Sequence, residues 1–94
     1  MSEFVLSTME VLLSSIAKND IRLLMRVFKA EKERKDKYFL DKLKDTVQHI
    51  VEDSMQIGIK NKEMQVIKIE NLPVTIHYIF EDNNHLLITA VFKE

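Results

Sequence analysis

At 94 residues the chain has room for one hydrophobic core and not for a second. With 46% hydrophobic and 31% charged residues, one Gly and one Pro, it is neither disordered nor low in complexity, and without Cys it has no disulfide, thiolate nucleophile or Cys-based zinc site. The net charge is −1 but unevenly spread: Lys18 to Lys44 hold ten Lys and Arg against five Asp and Glu, and the remainder holds four against ten.

The start of the chain, Glu3 before Phe4-Val5-Leu6, lacks the basic lead and long apolar run of a secretory signal, and no apolar run reaches membrane-spanning length. A Cys-free chain of this kind suits a reducing, cytoplasmic setting, with no membrane as partner. Val5, Met9, Leu12, Leu13 and Ile16 follow one helical stripe, with Ser7 or Thr8 as cap and Glu10 near the positive helix end. A second reading stays open, in which Glu3–Ser7 is a short first strand docked on a sheet and the helix starts at Thr8.

Asn19-Asp20 interrupts, and Asp20 is a suitable N-cap for a helix with Ile21, Leu24, Val27 and Phe28 on its apolar side. Lys29 to Lys37 is almost wholly charged, an exposed helix or a connection. A third amphipathic segment carries Phe39, Leu40, Leu43, Val47, Ile50 and Val51, and Gly58 stands beyond it as the residue that needs positive φ. Met9, Met25, Met55 and Met64 suit core or interface filling.

From Glu63 onward the chain reads as a β-meander. Its strands are Met64–Glu70, Val74–Glu81 and Leu86–Lys93, separated by Asn71-Leu72-Pro73 and Asp82-Asn83-Asn84-His85. The fold class is therefore α+β: two or three N-terminal helices on a C-terminal three-stranded antiparallel meander, within a single domain spanning residues 1–94. With Asn83-Asn84 at the centre of a two-residue turn, Phe80 lies opposite Leu87, Tyr78 opposite Thr89 and Ile76 opposite Val91. One face then holds Val74, Ile76, Tyr78, Phe80, Leu87, Thr89 and Val91. The other holds Thr75, His77, Ile79, Leu86, Ile88, Ala90 and Phe92. Both are substantially apolar, whereas a sheet face in water alternates apolar with polar residues. Helices cover one face; the second needs a further helix, a second copy or a partner, and Ile79, Leu86, Ile88 and Phe92 are its candidate contact residues.

The run Tyr38-Phe39-Leu40-Asp41-Lys42-Leu43-Lys44, continuing through Val47, Ile50 and Gly58, resembles the helix that precedes the sheet in the RelE/ParE toxin superfamily. The strand-like runs Met64–Ile69, Pro73–Asp82 and Leu86–Lys93 resemble the sheet that follows it. The resemblance covers Tyr38 to Lys93. It implies a chain that begins with a strand before two helices. It also implies the toxin half of a toxin–antitoxin pair, which binds, or binds and cleaves, a translation or replication target such as the ribosome and is held by a protein partner. Cleavage of RNA needs a general base, a general acid and cations on the scissile phosphate. On the sheet, Lys68, His77 and Lys93 are the candidate catalytic set, His77 moving the proton and the lysines meeting phosphate charge; Tyr78 faces away from His77, and His85 reads as a turn residue. None of the three arginines, Arg22, Arg26 and Arg34, falls on the sheet. That favours an alternative of another class, a non-enzymatic regulatory or protein-binding module that works as a homodimer.

Arg22, Arg26, Lys29 and Lys37 recur near helical spacing and are candidate nucleic-acid contacts along a phosphate backbone. The competing reading is a solvated helix face with paired Lys and Glu. His49, Glu52 and Asp53 stand at i, i+3, i+4, but no fourth ligand has interpretable spacing. They read as a solvated helix face, and neither metal nor cofactor is expected.

Overall fold

The computed structural model describes residues 2–6, 9–59 and 63–94, the first of these as backbone. Five strands and two helices follow in the order β1 (Ser2–Leu6), β2 (Met9–Leu13), α1 (Ser15–Ala30), α2 (Asp36–Ile57), β3 (Gln65–Lys68), β4 (Val74–Asp82) and β5 (His85–Lys93). The class is α+β, as the sequence predicts. The sheet is larger than predicted: five strands in the order β1-β2-β5-β4-β3, in which the expected meander is extended by an N-terminal hairpin. β1 pairs antiparallel with β2, and β2 runs parallel to β5, so the sheet is mixed.

The N-terminal helix over Val5–Ile16 is not formed. Ser7 and Thr8, its expected caps, lie outside the described residues. Met9-Glu10-Val11-Leu12-Leu13 fits both periods, and the period of two wins. Met9 and Val11 are buried at 4% and 0% exposure, Leu13 packs against the same core, and Glu10 and Leu12 face the other way. Parallel pairing of this short strand with β5, in register Val11↔Leu86 and Leu13↔Ile88, brings the two apolar rows together.

α1 begins one residue after Ser14, whose hydroxyl accepts from Ala17 N at 2.9 Å and donates to Thr89 O at 2.8 Å. Asp20 is therefore not a cap. It lies in the second turn of α1, and its Oδ2 accepts from Val91 N at 3.0 Å. β2 ends at Leu13, so among the described residues β5 has no neighbouring strand on this side beyond Ile88, and Ser14 and Asp20 take over groups that a further strand would satisfy.

The charged stretch turns after Ala30. Lys35 N donates to Phe28 O at 3.1 Å, Arg34 sits at φ 49, and Glu33 pairs with Lys35 at 2.9 Å. α2 then buries Phe39, Leu43, Val47, Ile50 and Val51, the predicted stripe, and Phe28 stacks on Phe39 with ring centroids 5.1 Å apart. Gly58 ends α2 at φ 78, the positive value expected of it. Both helices pack on one face of the sheet, and Val74, Ile76, Tyr78, Phe80, Leu86, Ile88 and Val91 meet them there.

Two β-bulges reset the β4–β5 register. The turn is as predicted, with Asp82 opposite His85, and so is the far end, with His77↔Ala90 and Ile76↔Val91. Between them Glu81 is extra on β4 and Thr89 is extra on β5, so Phe80 pairs with Leu86 and Tyr78 with Ile88, one residue away from the predicted register. The gain is in the core. Leu86 and Ile88 lie beneath the helices at 0% exposure, while the Thr89 hydroxyl donates to His77 O at 3.2 Å instead of being buried opposite Tyr78.

Candidate functional site

Both helices lie on one face of the sheet, and among the described residues no element covers the second face. Its rows follow from the register: Glu10 and Leu12 on β2; Leu87 and Phe92 on β5; Thr75, His77 and Ile79 on β4; Val66 and Lys68 on β3. Val66 is 59% and Phe92 49% exposed, and Leu12, Ile79 and Leu87 are half-buried. An apolar surface interrupted by Thr, His and Lys is suited to contact with another macromolecule.

Of the predicted contact residues, Ile79 and Phe92 are on this face. Leu86 and Ile88 are not: the bulge at Glu81 turns both into the core, and Leu87 takes the place beside Ile79. Val66, Leu12 and Leu87 complete the face. Leu87 was hidden by the bulge and Leu12 by the helical period of its neighbours. The signal for Leu12 was the alternation Met9, Val11, Leu13, followed directly by a Ser able to cap a helix.

His77 and Lys68 share the open face on neighbouring strands, His77 opposite Val66 and Lys68 opposite Thr75. The His77 ring stands edge-on to Phe92 with centroids 4.8 Å apart. Thr75 Oγ1 donates to Glu94 Oε2 at 2.9 Å. Lys93 pairs with Val74, whose side chain lies in the core, so Lys93 is directed to the helix side and does not join His77 and Lys68. The open face thus presents one imidazole and one ammonium near each other. An imidazole and an ammonium placed in this way are suited to contact with a phosphate or carboxylate.

At the far end of the same face His85 joins three strands. Its Nδ1 lies 2.7 and 2.8 Å from the two carboxylate oxygens of Asp82, and its Nε2 lies 3.9 Å from Glu10. The hydrogen bond to Asp82 raises His85 above the ordinary histidine value, and the Asp82 and Glu10 charges add to it. Asp82 is held below the usual carboxylate value, first by the Asn84 backbone N–H and then by His85. His85 is therefore part of a charged clip at the mouth of the sheet.

On the helix side, a cleft of about 200 Å³ opens between the C-terminal half of α2 and β3 and β4, lined by His49, Asp53, Gln65, Tyr78 and the apolar Ile57 and Phe80. Tyr78 donates its hydroxyl to Gln65 Oε1 at 3.3 Å, and burial, followed by the Asp53 charge, raises its phenol above the ordinary value. Of the triplet read as a solvated helix face, His49 and Asp53 border this cleft, and Glu52 accepts from Gln48 Nε2 at 2.8 Å. Among the described residues no group of His, Cys, Asp and Glu is arranged to hold a metal ion.

Arg22, Arg26 and Lys29 are exposed on α1, and Lys37 is exposed on the first turn of α2 beyond the bend. No described helix is long and apolar enough to cross a membrane. No family model matches the chain, and no curated protein matches it.

Proposed function

We propose that the chain is the toxin-like half of a toxin–antitoxin pair, related to the RelE/ParE superfamily, and that it acts by binding a translation or replication target. The observation that carries this reading is the order of elements: an N-terminal β-hairpin whose second strand, β2, lies beside β5, then two helices, then a three-stranded meander. The resemblance over Tyr38–Lys93 implies a strand before two helices and a meander; β2, α1, α2 and β3 to β5 follow that order, and β1 is an additional edge strand. The open face, with Lys68 and His77 among Val66, Ile79, Leu87 and Phe92, is the surface offered to the target or to the partner that restrains it. Binding is favoured over cleavage because Lys93 is turned away and His85 is engaged by Asp82.

A specific observation favours a second reading, a non-enzymatic regulatory module that dimerises through this face: its cations are single and none is Arg. Tightly controlled induction in a bacterial host separates the two. The toxin reading expects growth arrest that Lys68→Ala/His77→Ala relieves and Lys93→Ala does not. Normal growth with soluble, abundant protein overturns it in favour of the second reading.

A further inference from the structure

α1 exposes more apolar surface than a solvent-facing helix needs. Ile16, Leu23 and Val27 are 62%, 48% and 42% exposed. They stand at i, i+7, i+11, and with Asp20 and Ala30 they mark one seam of a and d type along the helix. The polar member of the seam is already used, because Asp20 accepts from Val91 N. Beside the seam, turned further from the core, stand Arg22, Arg26 and Lys29, all exposed. Asp20 is the sole acidic residue of α1, so this flank carries cations without interspersed carboxylates.

We propose that the outer flank of α1 is the docking surface for an acidic amphipathic helix of a partner protein. The apolar stripe of that helix lies along Ile16, Leu23 and Val27, and its flanking carboxylates meet Arg22, Arg26 and Lys29. Charge decides the occupant. A second copy of α1 on the same seam would bring two sets of cations together, which costs rather than stabilises. A nucleic-acid backbone would engage the cations but leave the apolar seam facing phosphates. From Ile16 to Ala30 the seam runs about 21 Å, which three heptads of partner helix cover. The flank lies on the helix layer, away from the open sheet face, so the inference stands or falls independently of the proposed activity.

The test uses the full chain and a fluorescein-labelled three-heptad helical peptide with Leu on one stripe and Glu on both flanks, beside a twin with Lys in place of every Glu. Fluorescence anisotropy should show the Glu peptide binding about tenfold or more tighter than the Lys twin, and more weakly as salt is raised. Arg22→Glu/Arg26→Glu/Lys29→Glu should reverse the preference, and Leu23→Asp/Val27→Asp should abolish binding of both peptides with the circular dichroism spectrum unchanged. Absence of Glu-peptide binding overturns the proposal. So does equal binding to the Leu23→Asp/Val27→Asp variant. Tighter binding of duplex RNA or of anionic phospholipid vesicles that depends on the cations and not on Leu23 and Val27 overturns it as well.

Discussion

The paired substitutions Leu86→Ala and Leu87→Ala read out the bulge that decides which face of the sheet is open. Leu86 is at 0% exposure and belongs to the core with Phe80 and Val11 as its cross-strand neighbours. Truncation there removes the burial of a full leucine side chain and leaves a cavity that close packing does not refill, at a cost of about 3–4 kcal/mol. Leu87, half-exposed opposite Ile79 on the open face, has less burial to lose, and its truncation costs about 1 kcal/mol or less. A domain of this size has roughly 5–14 kcal/mol of stability, so both variants fold, and the difference is large on that scale. Urea unfolding gives the two values directly. In a thermal melt, at roughly 4–8 °C per kcal/mol, Leu86→Ala falls by about 12 °C or more and Leu87→Ala by about 8 °C or less. The regular register between Phe80 and Tyr78 requires the opposite order. A Leu87→Ala cost above that of Leu86→Ala would remove the bulge, and with it the assignment of the open face.

Three further outcomes follow from individual contacts. Asp20→Ala should cost about 1–2 kcal/mol and raise the hydrogen-exchange rate of the Val91 amide, because that N–H loses a charged acceptor at the edge of β5; unchanged exchange at Val91 refutes the contact. Gly58→Ala should cost about 1–3 kcal/mol by denaturant unfolding although an added Cβ meets nothing within 4 Å, because the cost comes from φ 78 with ψ 174; a neutral effect would mean that α2 ends differently. The His85–Asp82 clip has a defined pH window. The raised His85 value makes its contribution full below the ordinary 6.5 and lost as pH rises through the higher folded value. The lowered Asp82 value makes its contribution present above the ordinary 3.8 and lost as pH falls through the lower folded value. The wild-type stability advantage over His85→Gln should therefore be greatest in the weakly acidic range between these limits and decline on both sides. An advantage that grows with pH above neutrality contradicts the pairing.

How far the fold was legible depended on whether a residue pattern had one reading. Phe39, Leu43, Val47 and Ile50 match only the helical period over a long stretch, and α2 with its terminal Gly58 is where they put it. The meander was legible from its β-branched runs and from Asn71-Leu72-Pro73 and Asn83-Asn84, which leave little else for those segments to do. Residues 9–13 were not legible in the same way. Apolar side chains at four of five positions satisfy helix and strand alike, and only pairing with β5, far along the chain, selects the strand. Asp20 before an apolar helical run has the local signature of a cap; its partner is Val91, a long-range choice that a local pattern does not contain. The bulges are equally non-local, since they trade ladder hydrogen bonds for the burial of Leu86 and Ile88. Of the candidate site, the residues legible from alternation alone, Ile79, His77 and Phe92, lie on the open face. Leu86 and Ile88, placed by extending alternation through the bulges, do not, and Lys93, next in the Val91 row, lies on the side away from His77 even by unbroken alternation.

Pulse-labelling of protein and DNA synthesis in the first minutes after induction, with the wild-type chain and with Ile79→Asp/Phe92→Asp, shows whether the open face engages a translation or replication target. Both substitutions fall on the open face rather than in the core, so the variant accumulates as a folded protein. The binding account predicts that one of the two syntheses falls in the wild-type culture before growth slows, and that the variant leaves both at the uninduced level. Equal rates in all cultures, with both proteins soluble and abundant, would contradict it.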